Sequence, residues 1–128
     1  MDQTSNKKLL VLTSSFPANK NGNIGGGNFI LKLAALTGQH FTLLVLAPYF
    51  KGSSLDENID GVDVRRFKYL PFNFMQRYFE NGIFEGFRSY ILLRPFFVCY
   101  ILSQLFAVKR ICATRKINTI HAHWIFPQ

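Results

Sequence analysis

Two short apolar runs that end in turns constrain the fold of this chain more than any other feature. KKLLVLTSSFP at residues 7–17 and HFTLLVLAP at residues 40–48 are apolar at consecutive rather than alternate positions. Strands that are apolar on both sides are typical of parallel sheets, whose two faces are covered by helices. Between the runs, residues 28–38 carry apolar side chains at helical spacing and end at Gly38, a typical helix stop. The sequence therefore predicts a β–α–β unit at its start.

The rest of the chain continues the same alternation of strands and helices. GVDVRRFKYL, residues 61–70, alternates apolar and polar side chains and predicts a third strand nearer the sheet edge. Residues 71–94 mix aromatic residues with Asn, Gly and Arg, which suits either short helices or a packed loop. A helix is predicted from Pro95 to about Lys116, and residues 117–126 are predicted as a fourth strand. This order predicts an α/β fold with a Rossmann-like parallel sheet over residues 7–128, after a disordered N-terminus at 1–6.

The helix from Pro95 also decides whether a membrane span is expected. Its apolar stretch to Val108 is 14 residues long, short of the ~20 that cross a bilayer, so we expect a buried core helix that does not cross. Cys99 and Cys112 lie on this helix roughly 20 Å apart, too far for a disulfide. Free, buried thiols and an N-terminus without a signal-peptide pattern predict a cytoplasmic protein.

Positive charge is concentrated in the middle of the chain. Residues 65–116 contain ten of the 15 basic residues and only two of the seven acidic ones, and 13 of the 20 aromatic residues fall within 67–106. This composition indicates an anionic partner: a membrane surface, a phosphate-bearing substrate or nucleic acid. Nucleic acid is disfavoured because no recognised binding motif is present. The residues of this segment predicted to contact such a partner are Arg65, Arg66, Lys68, Arg77 and Arg88. Core aromatic residues with a solvated basic rim explain the segment equally well.

A glycine-rich loop lies between the first predicted strand and the first helix. GNIGGG ends in Gly25, Gly26 and Gly27, and Asn28 follows directly. Three glycines let backbone N–H groups approach a phosphate or a sugar at a helix N-terminus. The pattern matches neither the dinucleotide fingerprint nor the Walker loop. We expect a binding loop at these four residues, and the alternative is a flexible connection whose glycines only ease a turn.

Two histidines end the last predicted strand. His121 and His123 are two residues apart, so both side chains should lie on one face, at the same sheet edge as the glycine loop. A neutral histidine there can hydrogen-bond a sugar hydroxyl or act near a reacting carbon. Zinc would need a third ligand that the nearby sequence lacks, so no metal site is predicted. The alternative is a histidine packed under the sheet and paired with backbone.

Taken together, the SFP after the first strand, the triple-glycine loop and IHAHWIFPQ at residues 120–128 resemble one family. They are similar to the N-terminal half of GT-B glycosyltransferases of the family 4 (group 1) type, over Lys7 to Gln128. The resemblance implies a partial N-terminal, acceptor-side domain that is truncated at Gln128. The donor-binding domain of such enzymes, with its pair of glutamates, is not in this chain. Glu80 and Glu85 lie in the wrong region to take that role.

The resemblance also implies an activity. Such enzymes move a sugar from a nucleoside-diphosphate sugar to a glycan or lipid-linked acceptor, with retention of configuration and no metal or other cofactor. Gly25, Gly26 and Gly27 match the loop near the donor phosphates and the acceptor. His123 matches the histidine over the transferred sugar, with His121 as the alternative. Alone, this chain is expected to be inactive and to need a C-terminal domain in cis or in trans. The basic segment at residues 65–94 corresponds to where such enzymes meet lipid-linked or membrane-bound acceptors, and the predicted location is the cytoplasm, including the inner face of the membrane. The rival hypothesis is a non-catalytic basic α/β module that binds anionic membrane or a partner chain.

Overall fold

The computed structural model describes residues 7–14, 16–17, 28–50, 53–70, 73–79 and 83–123. Its elements in chain order are β1 (Lys8–Thr13), α1 (Asn28–Thr37), β2 (Thr42–Pro48), β3 (Asp56–Ile59), β4 (Val62–Phe67), a 3-10 segment (Asn73–Phe79), α2 (Ile83–Ser89), a second 3-10 segment (Ile91–Leu93), α3 (Pro95–Arg115) and β5 (Thr119–His123). The predicted disorder at residues 1–6 lies outside the described residues. So does the end of the predicted fourth strand beyond His123.

The strands form one five-stranded sheet in the order β3-β4-β2-β1-β5. The four strands β4, β2, β1 and β5 are parallel, and β3 is antiparallel to β4. At the start of β5, Asn118 accepts a hydrogen bond from the backbone N–H of Lys8 through its side-chain oxygen, at 3.0 Å, and its own N–H donates to the Lys8 carbonyl at 3.0 Å. This reciprocal pair sets the register of β5 on β1. The predicted α/β class with a Rossmann-like parallel sheet is confirmed.

The β3–β4 hairpin adds one strand to those that the sequence predicts. Ile59 and Val62 are joined by Asp60 and Gly61, both of which have positive φ, at 50° and 82°. Two such residues form the hairpin turn whose twist matches that of the strands, and glycine adopts this conformation without strain. The predicted third strand is therefore β4, which lies one strand inside the edge.

The core has two layers because the central strands are buried on both faces. In β1, Leu9 and Val11 pack toward α1, and Leu10 and Leu12 pack toward α3. The α1 layer also contains Phe16, Ile30, Leu31, Ala34, Val45, Ala47, Ile59, Val62 and Val64. The α3 layer contains Leu46, Phe67, Tyr69, Leu70, Met75, Phe79, Ile83, Phe87, Leu93, Tyr100 and Ile111. Burial on both sides explains the runs of consecutive apolar residues in β1 and β2.

The described parts of the aromatic segment form short helices, as one of the two alternatives predicted, and their rings join the α3 layer. Tyr100 is fully buried, and its ring lies 5.2 Å from that of Tyr69 and 5.5 Å from that of Phe67, centroid to centroid. Phe79 and Phe87 meet edge to face at 4.8 Å, a favourable geometry for aromatic pairs. Much of the aromatic content is therefore core rather than surface.

Helix α3 begins at Pro95 and ends at Arg115, as predicted, but its predicted burial is wrong. Of its 21 residues only Tyr100, Gln104 and Ile111 are buried, and they form one stripe along the helix. Val98, Leu102, Leu105 and Phe106 are exposed. An apolar helix is fully buried only when other elements cover all of its sides, and the described residues cover one.

The two cysteines of α3 are free, as predicted, but they are not buried. Cys99 is exposed and Cys112 is half-buried. By length and composition alone, α3 is long and apolar enough to cross a membrane, a test that core helices also pass. The prediction that it does not cross stays a prediction.

Candidate functional site

The strand order creates a change of direction in the sheet between β1 and β5. From β1 the chain passes through α1 to β2 on one side, whereas from β4 it passes through α3 to β5 on the other side of β1. In open α/β sheets, ligands bind outside the carboxyl ends of the strands at such a switch point. Thr13 and His123 are the last residues of the two strands and are paired in register. The crevice beside them is the candidate site.

His121 and His123 lie together on one face of β5, as predicted. Their ring centroids are 4.1 Å apart, and His121 and His123 pair with Val11 and Thr13 of β1. Both line a small cleft with Leu9, Val11, Ile30, Leu33, Ala34 and Thr37. The histidines therefore face the α1 side of the sheet. His121 is exposed and His123 is half-buried, because β5 is an edge strand.

Partial burial and the neighbouring histidine control the charge of His123. Burial disfavours the imidazolium and lowers the pKa of His123, and the nearby His121 lowers it further. Both effects favour the neutral ring, in which one nitrogen is a hydrogen-bond donor and the other an acceptor. Within the described part of the chain, no group of three His, Cys, Asp or Glu residues could hold a metal ion.

Only the end of the glycine loop falls within the described residues. Gly25, Gly26 and Gly27 lie outside them, and their predicted role stays a prediction. Asn28 is exposed and is the first residue of α1. Because α1 follows β1 and returns the chain to the amino end of the parallel strand β2, its N-terminus lies toward the carboxyl edge where β5 ends in His123.

Arg66 is buried, so its predicted contact with a membrane or an acceptor is wrong. Its side chain is 0% exposed, and its Nε donates to a Glu57 carboxylate oxygen at 2.8 Å. The two terminal guanidinium nitrogens donate to the carbonyls of Pro48 at 3.2 Å and Pro17 at 2.6 Å. Burial lowers the pKa of Arg66, and the Glu57 carboxylate partly offsets that effect. Arg66 thus links the segments that leave β1 and β2 at the carboxyl edge, including the proline of SFP.

The alternation of side chains along β4 is a sequence signal for this structural role. Val62 and Val64 are buried in the α1 layer, and Arg66 continues the same alternating series. A side chain two residues beyond Val64 lies on the same face of the strand. An arginine on that face must be paired with acceptors, since an unpaired buried charge is costly.

The other four predicted basic contacts remain at least partly exposed. Arg65 is 32% exposed and pairs with Asp56 at 2.8 Å, and Lys68 Nζ lies 5.3 Å from the ring centroid of Tyr49. Arg77 lies over the ring of Tyr78 and donates to its hydroxyl at 2.7 Å. Arg88 is exposed in the last turn of α2. Of this set, Arg65 and Lys68 line one groove beside α3, whereas Arg77 and Arg88 do not.

That groove lies between α3 and the β3–β4 hairpin and has a volume of about 380 Å³. Buried Leu46, Phe67 and Ile111 form its floor. Its walls and rim are formed by Leu55, Asp56, Arg65, Lys68, Ser103, Phe106, Ala107 and Arg110, with the backbone of β4 at Arg66. Phe106 and Arg110 were not among the predicted site residues, although their spacing of four places them on one side of α3.

Comparison of the chain with protein-family models, with curated proteins and with solved structures found no match. The classification shown is therefore the α/β, Rossmann-like fold itself. Any statement about activity has to be argued from the switch point, the histidine pair and the basic surfaces, because fold alone does not determine function.

Proposed function

We propose that this chain is the acceptor-binding part of a retaining glycosyltransferase that uses a nucleoside-diphosphate sugar. One observation carries the proposal: the half-buried ring of His123 lies at the carboxyl end of β5, beside the end of β1, where open α/β sheets bind ligands. A neutral imidazole in that position can hydrogen-bond a sugar hydroxyl without introducing a charge. The resemblance of SFP, the triple glycine and IHAHW to these enzymes supplies the reaction.

In this proposal the residues at the carboxyl edge of the sheet have different roles. His123 contacts the sugar, and His121 lowers its pKa from a distance of 4.1 Å between ring centroids. Gly25, Gly26 and Gly27, followed by Asn28 at the start of α1, approach the phosphates or the acceptor. A separate domain, in cis or in trans, binds the donor, so this chain alone does not turn over. No cofactor is required beyond the nucleoside-diphosphate sugar.

The test uses the protein as its own cell produces it. Intact mass would first establish whether the native product exceeds 14.7 kDa, and sugar transfer would then be assayed on that product with a panel of donors. His123→Ala should lower turnover by about a hundredfold or more while leaving thermal unfolding nearly unchanged.

His40→Ala is the matched control, because His40 is exposed in the turn after α1. We expect it to retain activity. Equal losses of activity and stability in His123→Ala would make His123 a structural residue only. A native product of 14.7 kDa that supports no sugar transfer in its own cell extract would contradict the proposal.

Anionic-membrane binding is a second candidate function, favoured by the outer face of α3. Val98, Leu102, Leu105 and Phe106 are 59–70% exposed on this helix, next to Ile91 and Leu92 at 68% and 85%. No Asp or Glu follows Glu85 in the sequence, whereas six basic residues do. Exposed apolar side chains with lysine and arginine around them are typical of helices that lie on anionic lipid.

Vesicle sedimentation tests this second function. The chain should bind vesicles that contain an anionic phospholipid more tightly than zwitterionic ones, and binding should weaken as salt is raised. Leu102→Gln should reduce binding, whereas Ala113→Gln, an exposed position near the basic end of the same helix, should not. Binding that is independent of both lipid charge and Leu102 would contradict this function.

A further inference from the structure

The groove between α3 and the β3–β4 hairpin exists because α3 presents small side chains to that part of the sheet. Ser103 and Ala107 lie on the side of α3 that lines the groove, whose floor residues Leu46 and Phe67 are 0% and 6% exposed. The accessible apolar surface of the groove comes instead from Phe106 and Leu55, and Leu55 is 46% exposed. Phe106 stands on one wall and is 70% exposed, although a large aromatic side chain is stabilised by burial. At about 380 Å³, the groove is within the range of small-molecule sites, roughly 300–1,000 Å³.

The rim of the groove carries more positive than negative charge. Arg65 is neutralised by Asp56, which pairs with it at 2.8 Å. Lys68 and Arg110 are exposed and form no ion pair with any described residue. The contact of Lys68 with the face of Tyr49 leaves its charge uncompensated. An occupant of this groove therefore meets the exposed apolar side chains of Phe106 and Leu55 together with two cations.

We propose that this groove binds one molecule of an anionic amphiphile. Its acidic head, a phosphate or a carboxylate, interacts with Lys68 and Arg110, and its hydrocarbon part lies against the exposed side chains of Phe106 and Leu55. Arginine suits this role because its planar guanidinium forms paired hydrogen bonds with phosphate and carboxylate oxygens. A polar uncharged molecule would leave Phe106 and Leu55 exposed to water, and an apolar one would leave the cations without a partner.

This site is separate from the candidate active site and shares one residue, Phe106, with the membrane-binding surface. It lies on the α3 face of the sheet, whereas His121 and His123 face the α1 side. Of the apolar side chains of α3 assigned to the membrane-binding surface, Phe106 also lines the groove, whereas Val98, Leu102 and Leu105 do not. The groove can therefore bind its ligand whether or not the chain transfers sugar or binds vesicles.

The test is isothermal titration calorimetry of the full chain with dodecyl phosphate, kept below its micelle concentration. Inorganic phosphate provides the head alone, and an uncharged dodecyl ether of ethylene glycol provides the tail alone. We expect one dodecyl phosphate per chain and at least about tenfold weaker binding of either part.

Four variants locate the site. Arg110→Gln should weaken dodecyl phosphate binding about tenfold, because it removes a hydrogen bond between charged groups. Lys109→Gln removes the same charge from the neighbouring residue of α3, which does not line the groove, and should have no effect. Ser103→Trp should block binding by filling the groove without changing any charge. Leu102→Gln should leave this binding intact even if it abolishes vesicle binding.

The outcomes separate the alternatives. Equal affinity for inorganic phosphate and dodecyl phosphate would show a simple anion site and overturn the proposal. Equal losses in Arg110→Gln and Lys109→Gln would show non-specific attraction and also overturn it. If Ser103→Trp folds, as judged by its thermal unfolding, and still binds dodecyl phosphate with unchanged affinity, the ligand lies elsewhere and the assignment is wrong.

Discussion

Arg65 and Arg66 are neighbours in β4 that form ion pairs of equal length in different surroundings. Arg65 pairs with Asp56 and Arg66 pairs with Glu57, both at 2.8 Å between Nε and a carboxylate oxygen. The Arg65 side chain is 32% exposed and that of Asp56 is 70% exposed, whereas the Arg66 side chain is 0% exposed and that of Glu57 18%. Replacing each arginine by alanine therefore compares an exposed pair with a buried one in the same strand.

The expected losses of stability differ severalfold. Removing one partner of a buried pair costs about 3–5 kcal/mol, because the other charge stays behind without compensation. Arg66→Ala also deprives the carbonyls of Pro17 and Pro48 of a donor. Glu57 retains some access to water, which places the expected loss near the lower limit, at about 3 kcal/mol. For Arg65→Ala we expect about 0–1 kcal/mol, as for other exposed pairs.

Urea unfolding followed by far-UV circular dichroism measures both losses as changes in the free energy of unfolding. Arg66→Lys adds a second comparison, because lysine keeps the charge but cannot reach three acceptors with a planar fork, so it should recover only part of the loss. In a double-mutant cycle, Glu57→Ala should cost little once Arg66 is absent. Losses below about 1 kcal/mol for both Arg66→Ala and Arg65→Ala would refute the assignment of Arg66 as a structural residue.

Three single residues, His123, Gly86 and Tyr100, give further predictions. The pKa of His123 is lower in the folded chain than in the unfolded chain, so the unfolded chain binds more protons as the solution becomes acidic. The free energy of unfolding should therefore fall as pH drops through about 6.5. His123→Asn should flatten that slope in urea titrations at about pH 5–8. Gly86→Ala places a methyl group against the ring of Phe79 and should cost about 1–3 kcal/mol in thermal unfolding, with Ser89→Ala of the same helix as a nearly neutral control. The buried hydroxyl of Tyr100 has no hydrogen-bond partner among the described residues, so Tyr100→Phe should leave stability unchanged or raise it; a loss above about 1 kcal/mol would indicate a partner for that hydroxyl.

The central part of the fold could be predicted because its sequence signals are local. The consecutive apolar residues of β1 and β2 follow from burial on both faces, and the spacing in α1 follows from one face against the sheet. The side-chain period of two in a strand likewise predicts that His121 and His123 share one face, as they do. None of these inferences depends on a distant part of the chain.

The features that were missed depend on local turn chemistry or on contacts between distant elements. Asp60-Gly61 is a strong hairpin signal, but the strand before it, DENI, has too few apolar residues to be recognised as a strand. The basic composition of its segment predicts Arg66 as a surface contact, whereas the structure pairs its guanidinium with Glu57, Pro48 and Pro17. Such acceptors become visible only when the sheet brings the three segments together.

The outer face of α3 bears directly on which proposed function is correct. Its apolar side chains are exposed rather than packed against the described residues. Six basic residues and no acidic residue follow Glu85 in the sequence. A protein partner for this face would need acidic side chains around an apolar centre, whereas an anionic membrane provides phosphates above hydrocarbon. Loss of vesicle binding in Leu102→Gln with retained binding in Ala113→Gln therefore identifies lipid as the partner of α3. No dependence of vesicle binding on lipid charge would instead indicate that this face contacts a protein rather than an anionic membrane.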